Sequence, residues 1–388
     1  MRRLLALSSA VLLLAGVTVP ASAHRQLHVP GAEYQELAHL DDLTTAGTVA
    51  SGHTNPADYV GLTHSGLPQQ SGVPGVQIDG YFPDTSHTNT NHGWNHDAQF
   101  VIRLPQRWNG GLVVSGSPGV RAQYANDKSI SDYVLSLGYA YAATDKGNTG
   151  AAFSTDGIRP GDAIVEWNVR TTQLARAARA TVAQHYGRPA REVIAAGISN
   201  GGYLVRWQLE NHPELYTRGV DLEGTLWTVD GPNLFTYLPQ AITGYEQHDT
   251  AKIVAAGFNP KSDFLWDYHY TVYWKLTQRI YAAELDPTYT GAEADYDYTQ
   301  RPEARKAIAR IALTGNIRRP LTTIHGTYDS LLPISQDSDV YAELAKHTGL
   351  HTYQRVEAGN HVDGLVDTYP DQLVPLVPYL QRAIRTPL

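Results

Sequence analysis

Apolar positions in this chain fall into short runs separated by small or polar residues. Gln99 to Leu104, Leu112 to Ser115, Tyr139 to Thr144, Val193 to Ala196, Val220 to Glu223, Leu321 to Ile324 and Tyr353 to Val356 each have the length and the bounding residues of a strand. Between the early runs the period changes. Helical spacing covers Ser129 to Leu137 and about Val165 to Tyr186, where Val169, Leu174, Ala177 and Val182 are the expected inward positions. Strands alternating with helices predict an α/β protein on a mostly parallel sheet with helices on both faces. In such sheets ligands sit at the carboxyl ends of the strands.

Two stretches break the alternation. Residues 24–98 are rich in His, Thr, Gly, Asn and Pro and keep no sustained period, which predicts an irregular extension with short strands packed outside the main domain. From 224 to 318, roughly 95 residues pass before a strand pattern resumes, too many for a plain connection. This interval is dense in aromatic residues, among them Trp227, Trp266, Tyr273, Trp274 and Tyr281. It is read as a cap inserted over the site, most of its rings forming the cap's own core and a few facing a pocket. The main domain then comprises 99–223 and 319–388.

One strand end carries chemistry. Gly197-Ile198-Ser199-Asn200-Gly201 follows the run ending at Ala196 and precedes helix-compatible residues, so Ser199 stands on a strand-turn-helix elbow that thrusts its hydroxyl into the open. A serine needs a base, and the base an orienting acid, in the chain order serine, acid, histidine. Asp329 lies in the loop after the strand ending at Ile324, and His361 in the loop after the last strand. Asp221 and Glu223 are rival acids, and His325 a rival histidine read as a structural partner. For the oxyanion, the amides of Asn200 and of Ser117 are the expected donors, since Pro118 has no N–H. The loop from Gly147 to Gly161 is expected at the pocket rim. His87, His92 and His96 with Asp97 fit no specific zinc spacing and read as a solvated loop.

Composition narrows the setting. The formal net charge is −8 and no basic cluster is visible, which argues against nucleic acid as a partner. With no cysteine, thiol nucleophiles, thiolate metal sites and disulfides are excluded. Arg2 and Arg3, the apolar stretch from Leu4 to about Val19, and Ala21-Ser22-Ala23 read as a signal peptide over 1–23, so a secreted protein without membrane attachment is expected.

The run from Glu166 through Ala175-Arg176-Ala177-Ala178, His185-Tyr186-Gly187, the Ser199 elbow and His212-Pro213-Glu214 resembles the tannase and feruloyl esterase family of the α/β-hydrolase superfamily. Asp145-Lys146-Gly147 with Ser199-Asn200-Gly201-Gly202 also resembles the 3-hydroxybutyrate oligomer hydrolases. The first resemblance implies a serine carboxylic ester hydrolase acting on aryl or hydroxycinnamate esters, small or polymer-linked; the second implies hydroxyalkanoate oligomers. Neither implies a cofactor, and Asp295 with Asp297 are too few for the calcium site of the first family. That family joins its nucleophile and histidine segments through a disulfide, whose positions here are Ile198 and Val362. These two are expected to pack together in its place. A non-catalytic binding protein of the same fold is the remaining reading.

Overall fold

The computed structural model describes residues 27–386; the signal peptide assigned to 1–23 lies outside them. Nine strands form one sheet: β1 (Tyr34–Leu40), β2 (Gly75–Tyr81), β3 (Gln99–Pro105), β4 (Gly111–Gly116), β5 (Ala140–Thr144), β6 (Glu192–Ile198), β7 (Arg218–Leu222), β8 (Leu321–Gly326) and β9 (His351–Val356). Their order is β1-β2-β3-β5-β4-β6-β7-β8-β9. Pairing is antiparallel from β1 to β5 and parallel from there to β9. This is the α/β-hydrolase fold.

Strand alternation sorts side chains onto the two faces. Leu112 and Val114 join one apolar cluster and Val113 the other; Val193 and Ala195 face one way, Ile194 and Ala196 the other. Helices cover both sides, which is why these strands are buried along their whole length. After the π-type turn Asp127–Ser131 comes the short α1 (Asp132–Ser136), where the sequence predicted one continuous helix. The long α2 (Asp162–Tyr186) runs between left-handed Gly161 and Gly187. It buries Ile164, Trp167, Thr171, Leu174, Ala178 and Val182. Val169 is 55% exposed, contrary to its predicted inward position, because it lies two residues past Trp167 on the opposite side of the helix.

Residues 27–98 do more than pad the outside. They supply β1 and β2, which extend the sheet in register along seven residue pairs each. Hydropathy hides β2 because Gln77 and Asp79 are buried polar residues. Gln77 accepts from Arg103 Nε at 2.9 Å, while Arg103 pairs with Asp127 at 2.7 Å, every member of that pair buried. Charge satisfied by hydrogen bonds thus replaces the apolar alternation that sequence reading relies on.

Strand β6 leads through Ser199 into α3 (Asn200–Asn211). The cap over 224–318 is largely helical, with α4 (Leu234–Glu246) started by an Asn233 and Thr236 capping box, and α5 (Lys275–Leu285). Beyond it, α6 (Ser338–Ala345) and α7 (Val377–Arg385) complete the layers. Among the described residues no helix is long and apolar enough to cross a membrane.

Candidate active site

Ser199 is half-buried at the end of β6, with φ 58° and ψ −122°, a conformation unfavourable for any side-chain-bearing residue. Its neighbours explain how the turn closes. A Cβ on Gly197 would lie 2.2 Å from Gly201 O, and one on Gly201 would lie 2.5 Å from Gly116 O. Only glycine allows strand, helix and the loop after β4 to approach this closely. Since α3 begins at Asn200, its unpaired first-turn N–H groups surround the serine.

The structure brings Asp329 and His361 together from the loops after β8 and β9. His361 Nδ1 donates to Asp329 Oδ2 at 2.7 Å, which leaves Nε2 for a proton on the substrate side. Asp329 Oδ1 accepts from the amides of Leu331 and Leu332, both at 2.8 Å. His325 Nε2–H reaches Asp329 Oδ2 and Leu332 O, each at 3.0 Å, while its Nδ1 accepts from Ser338 Oγ at 2.7 Å. Burial opposes charge on Asp329, yet adjacent His361 and the hydrogen bonds from both histidines hold its carboxyl well below the usual range.

The rival acids occupy different places. Asp221 pairs with Arg206 at 2.5 Å beneath the site, and Arg206 also reaches Asp337 at 2.9 Å. Glu223 is close to the histidine, its Oε2 3.5 Å from His361 Nδ1, and it is held there with φ 52°. Its Oε1 accepts from Gly326 N at 3.0 Å and its Oε2 has no hydrogen-bond partner. Burial and the charge of Asp329 push its carboxyl well above the ordinary value, opposite in direction to Asp329 itself. Glu223, His325 and Asp329 lie close enough to hold an ion, but His325 and Asp329 are committed to each other and to the loop.

The loop after β4 departs from expectation. The Ser117 N–H donates to Thr144 O at 3.2 Å and is spent on joining β4 to β5, so it is not the second oxyanion donor. Its hydroxyl donates to Arg121 O at 2.6 Å and receives Lys146 Nζ. Past Pro118, which lacks an N–H, comes Gly119, whose carbonyl accepts from Asn200 Nδ2 at 3.0 Å. That bond ties the loop to the residue after Ser199, and the Gly119 amide is the next donor on that loop. The glycine directly after proline was the sequence signal for it.

Lys146, in the Asp145-Lys146-Gly147 segment, meets this loop from the end of β5. Fully buried, it lies 5.1 Å over the Trp167 ring with φ 77°, and burial pushes its ammonium down to about 7, offset in part by Asp145. It props up the loop through Ser117. The rim loop 147–161 packs Phe153 against Trp167 and Tyr281, at 5.3 and 5.5 Å between ring centres.

Other expectations resolve simply. Ile198 belongs to the apolar cluster beneath the sheet, but Val362 is not among the side chains packed on it, so hydrogen bonds rather than an apolar clamp hold the His361 loop. The histidines 87, 92 and 96 have separate partners: Asn95 O at 2.9 Å, Tyr124 Oη at 2.6 Å and Asp97 O at 2.6 Å.

No family model matches this chain. Its structure is similar to feruloyl esterase B from Aspergillus oryzae, with TM-score 0.60 and 11% identity over 88% of this chain and 82% of that one. An esterase from Aspergillus oryzae superposes with TM-score 0.51 and 13% identity, covering 86% and 80%. In sequence, 94 residues are 32% identical to a D-(-)-3-hydroxybutyrate oligomer hydrolase of Cupriavidus metallidurans, a match spanning 22% of this chain and only 13% of that protein. Together with the sheet order, the two structural neighbours establish the α/β-hydrolase fold for this chain.

Proposed function

We propose that this protein is an exported serine esterase. The carrying observation is the strained Ser199 at a helix start in the same fold as a bonded His361–Asp329 pair. In this reading His361 Nε2 takes the Ser199 proton as Oγ attacks the ester carbonyl. The tetrahedral oxyanion is held by the amides of Asn200 and Gly119. His361 then protonates the leaving alkoxide, and a water activated by the same nitrogen hydrolyses the acyl-serine. Asp329 stays ionised throughout and stabilises the imidazolium.

The favoured substrates are aryl esters such as hydroxycinnamate esters, small or polymer-linked. Support comes from the aromatic cap, the resemblance to the tannase and feruloyl esterase family, and the fold shared with feruloyl esterase B. The second reading, hydroxyalkanoate oligomers, is favoured by the 94-residue similarity to a 3-hydroxybutyrate oligomer hydrolase. Purified protein is assayed on methyl ferulate and on 3-hydroxybutyrate oligomers, with Ser199→Ala as control. Ferulate release that Ser199→Ala abolishes sustains the first reading, and oligomer cleavage alone selects the second. Activity surviving in Ser199→Ala overturns the mechanism.

A further inference from the structure

Most polar atoms on the loops of the site are bonded, whereas several on the cap side are not. Trp274, Gln278 and Tyr281 are spaced four and three residues apart, so they share one face at and along α5. Both ends of that face are tied to the catalytic loops. Trp274 Nε1 donates to Ser330 O at 2.8 Å, beside Asp329, and Tyr281 Oη accepts from Asn200 Nδ2 at 2.6 Å, beside Ser199. Gln278 lies between these anchors and is 1% exposed, yet neither its Oε1 nor its Nε2 has a protein partner. Two further buried groups nearby share this condition. Trp227 Nε1 is unpartnered, with its ring 5.6 Å from Tyr281, and so is His269 Nε2, whose other nitrogen is bonded to Ser330 Oγ.

Burying a carboxamide with both ends unbonded destabilises a fold, and native structures rarely keep such a group unless something else completes it. A carboxamide offers an acceptor and a donor side by side. A hydroxyl matches both functions. A carboxylate would satisfy the Nε2 donor and set its own charge against Oε1, and a hydrocarbon would satisfy neither.

We propose that Gln278 binds a hydroxyl on the acyl part of the substrate, so that the site selects esters of hydroxy acids. Trp227 Nε1 and His269 Nε2 are the flanking groups available to such a hydroxyl. This deepens the esterase reading and rests on it. Hydroxycinnamates carry a phenolic hydroxyl and 3-hydroxybutyrate an aliphatic one, so both substrate classes offer the chemistry that Gln278 requires.

The test measures kcat/KM on two ester pairs that differ by the hydroxyl alone: methyl 4-hydroxycinnamate against methyl cinnamate, and methyl 3-hydroxybutyrate against methyl butyrate. The wild type is expected to prefer the hydroxylated member of one pair by at least about 50-fold, since a site that hydrogen-bonds a hydroxyl rejects its deoxy analogue strongly. The pair that shows the preference names its source. Gln278→Leu should reduce the ratio to within about 3-fold, with the loss falling on the hydroxylated ester. The same substitution should raise the melting temperature of the free protein, because it removes two unbonded buried groups at similar volume. A ratio near one in both wild-type pairs, or a ratio that survives Gln278→Leu, overturns the proposal. So does a lowered melting temperature with equal losses on both members, which would mark Gln278 as structural. A wild type that hydrolyses none of the four esters overturns the esterase reading and this inference with it.

Discussion

The floor of the site and its roof differ in how fully their buried polar groups are bonded. On the floor, formed by loops at the carboxyl ends of β4 to β9, Asp329 accepts from two amides and two imidazoles, and Asn200 uses both ends of its amide on Gly119, Tyr281 and Thr225. On the roof, Gln278, Trp227 and His269 are as deeply buried but keep polar atoms unbonded. On the floor only Glu223 Oε2 and Asn360 Nδ2 stay unbonded among these loops' buried side-chain atoms beside His361, and the bonds around Asp329 and Asn200 fix geometry before a substrate arrives, which is what charge development in a transition state requires. An unsaturated network remains open to a ligand and gives up stability for it. The division also separates rate from selectivity: damage to the floor should appear mainly in kcat, and damage to the roof mainly in the choice among esters.

The sharpest way to break this contrast is Asp329→Asn. It keeps the shape but turns a donor toward His361, and kcat should fall by about 10³- to 10⁴-fold with KM little changed. A fall below tenfold in steady-state assays would mean that the floor is not the seat of catalysis. Next in size, Arg206→Met leaves the buried Asp221 and Asp337 without their shared cation. Denaturant melts should record a loss of about 3–5 kcal/mol, because uncompensated buried charge is costly. Trp274→Phe removes one of the two bonds that join the roof to Ser330 and also leaves space at a fully buried ring, so it should cost about 2 kcal/mol in the same melts. Its kinetic effect belongs in KM, and a change confined to kcat would blur the two regions.

The last effect is one of pH. Burial and the charge of Asp329 raise the Glu223 carboxyl well above its ordinary value of 4.5 in the fold, whereas the unfolded chain ionises it near that value. Unfolding therefore releases a proton, and this group's contribution to stability declines as pH rises from the unfolded value through the folded one. Glu223→Gln removes the dependence. The variant's melting temperature relative to wild type should climb between about pH 5 and pH 8; a flat difference would show that Glu223 is ionised in the fold.

Most of the floor was legible in the sequence and most of the roof was not. Ser199 announced itself through glycines that steric contact requires, and the order of Asp329 and His361 followed the order of the strands. Ser117 was expected to offer its amide to an oxyanion, but whether that amide is free or pairs with Thr144 depends on how β4 and β5 end beside each other, a tertiary fact. Strand β2 escaped notice because Gln77 and Asp79 are buried polar residues, satisfied by Arg103 on the neighbouring strand β3, by Tyr124 and by each other, and hydropathy registers none of these bonds. Gln278 carried no local signal at all. In the sequence it is one polar residue in an amphipathic helix, and only the anchors at Trp274 and Tyr281 show that its side is the buried one.

The backbone of Ser199 has a consequence for anyone who would engineer this protein. A left-handed φ on a residue with a side chain costs about 1–3 kcal/mol, and the cost is incurred in every folded molecule, reacting or idle. Glycine bears no such cost. A library of variants sorted for heat resistance alone would therefore accumulate glycine at position 199 and, with the proposed nucleophile gone, emerge tougher and inert. Any campaign to harden this scaffold has to screen turnover in the same round as survival.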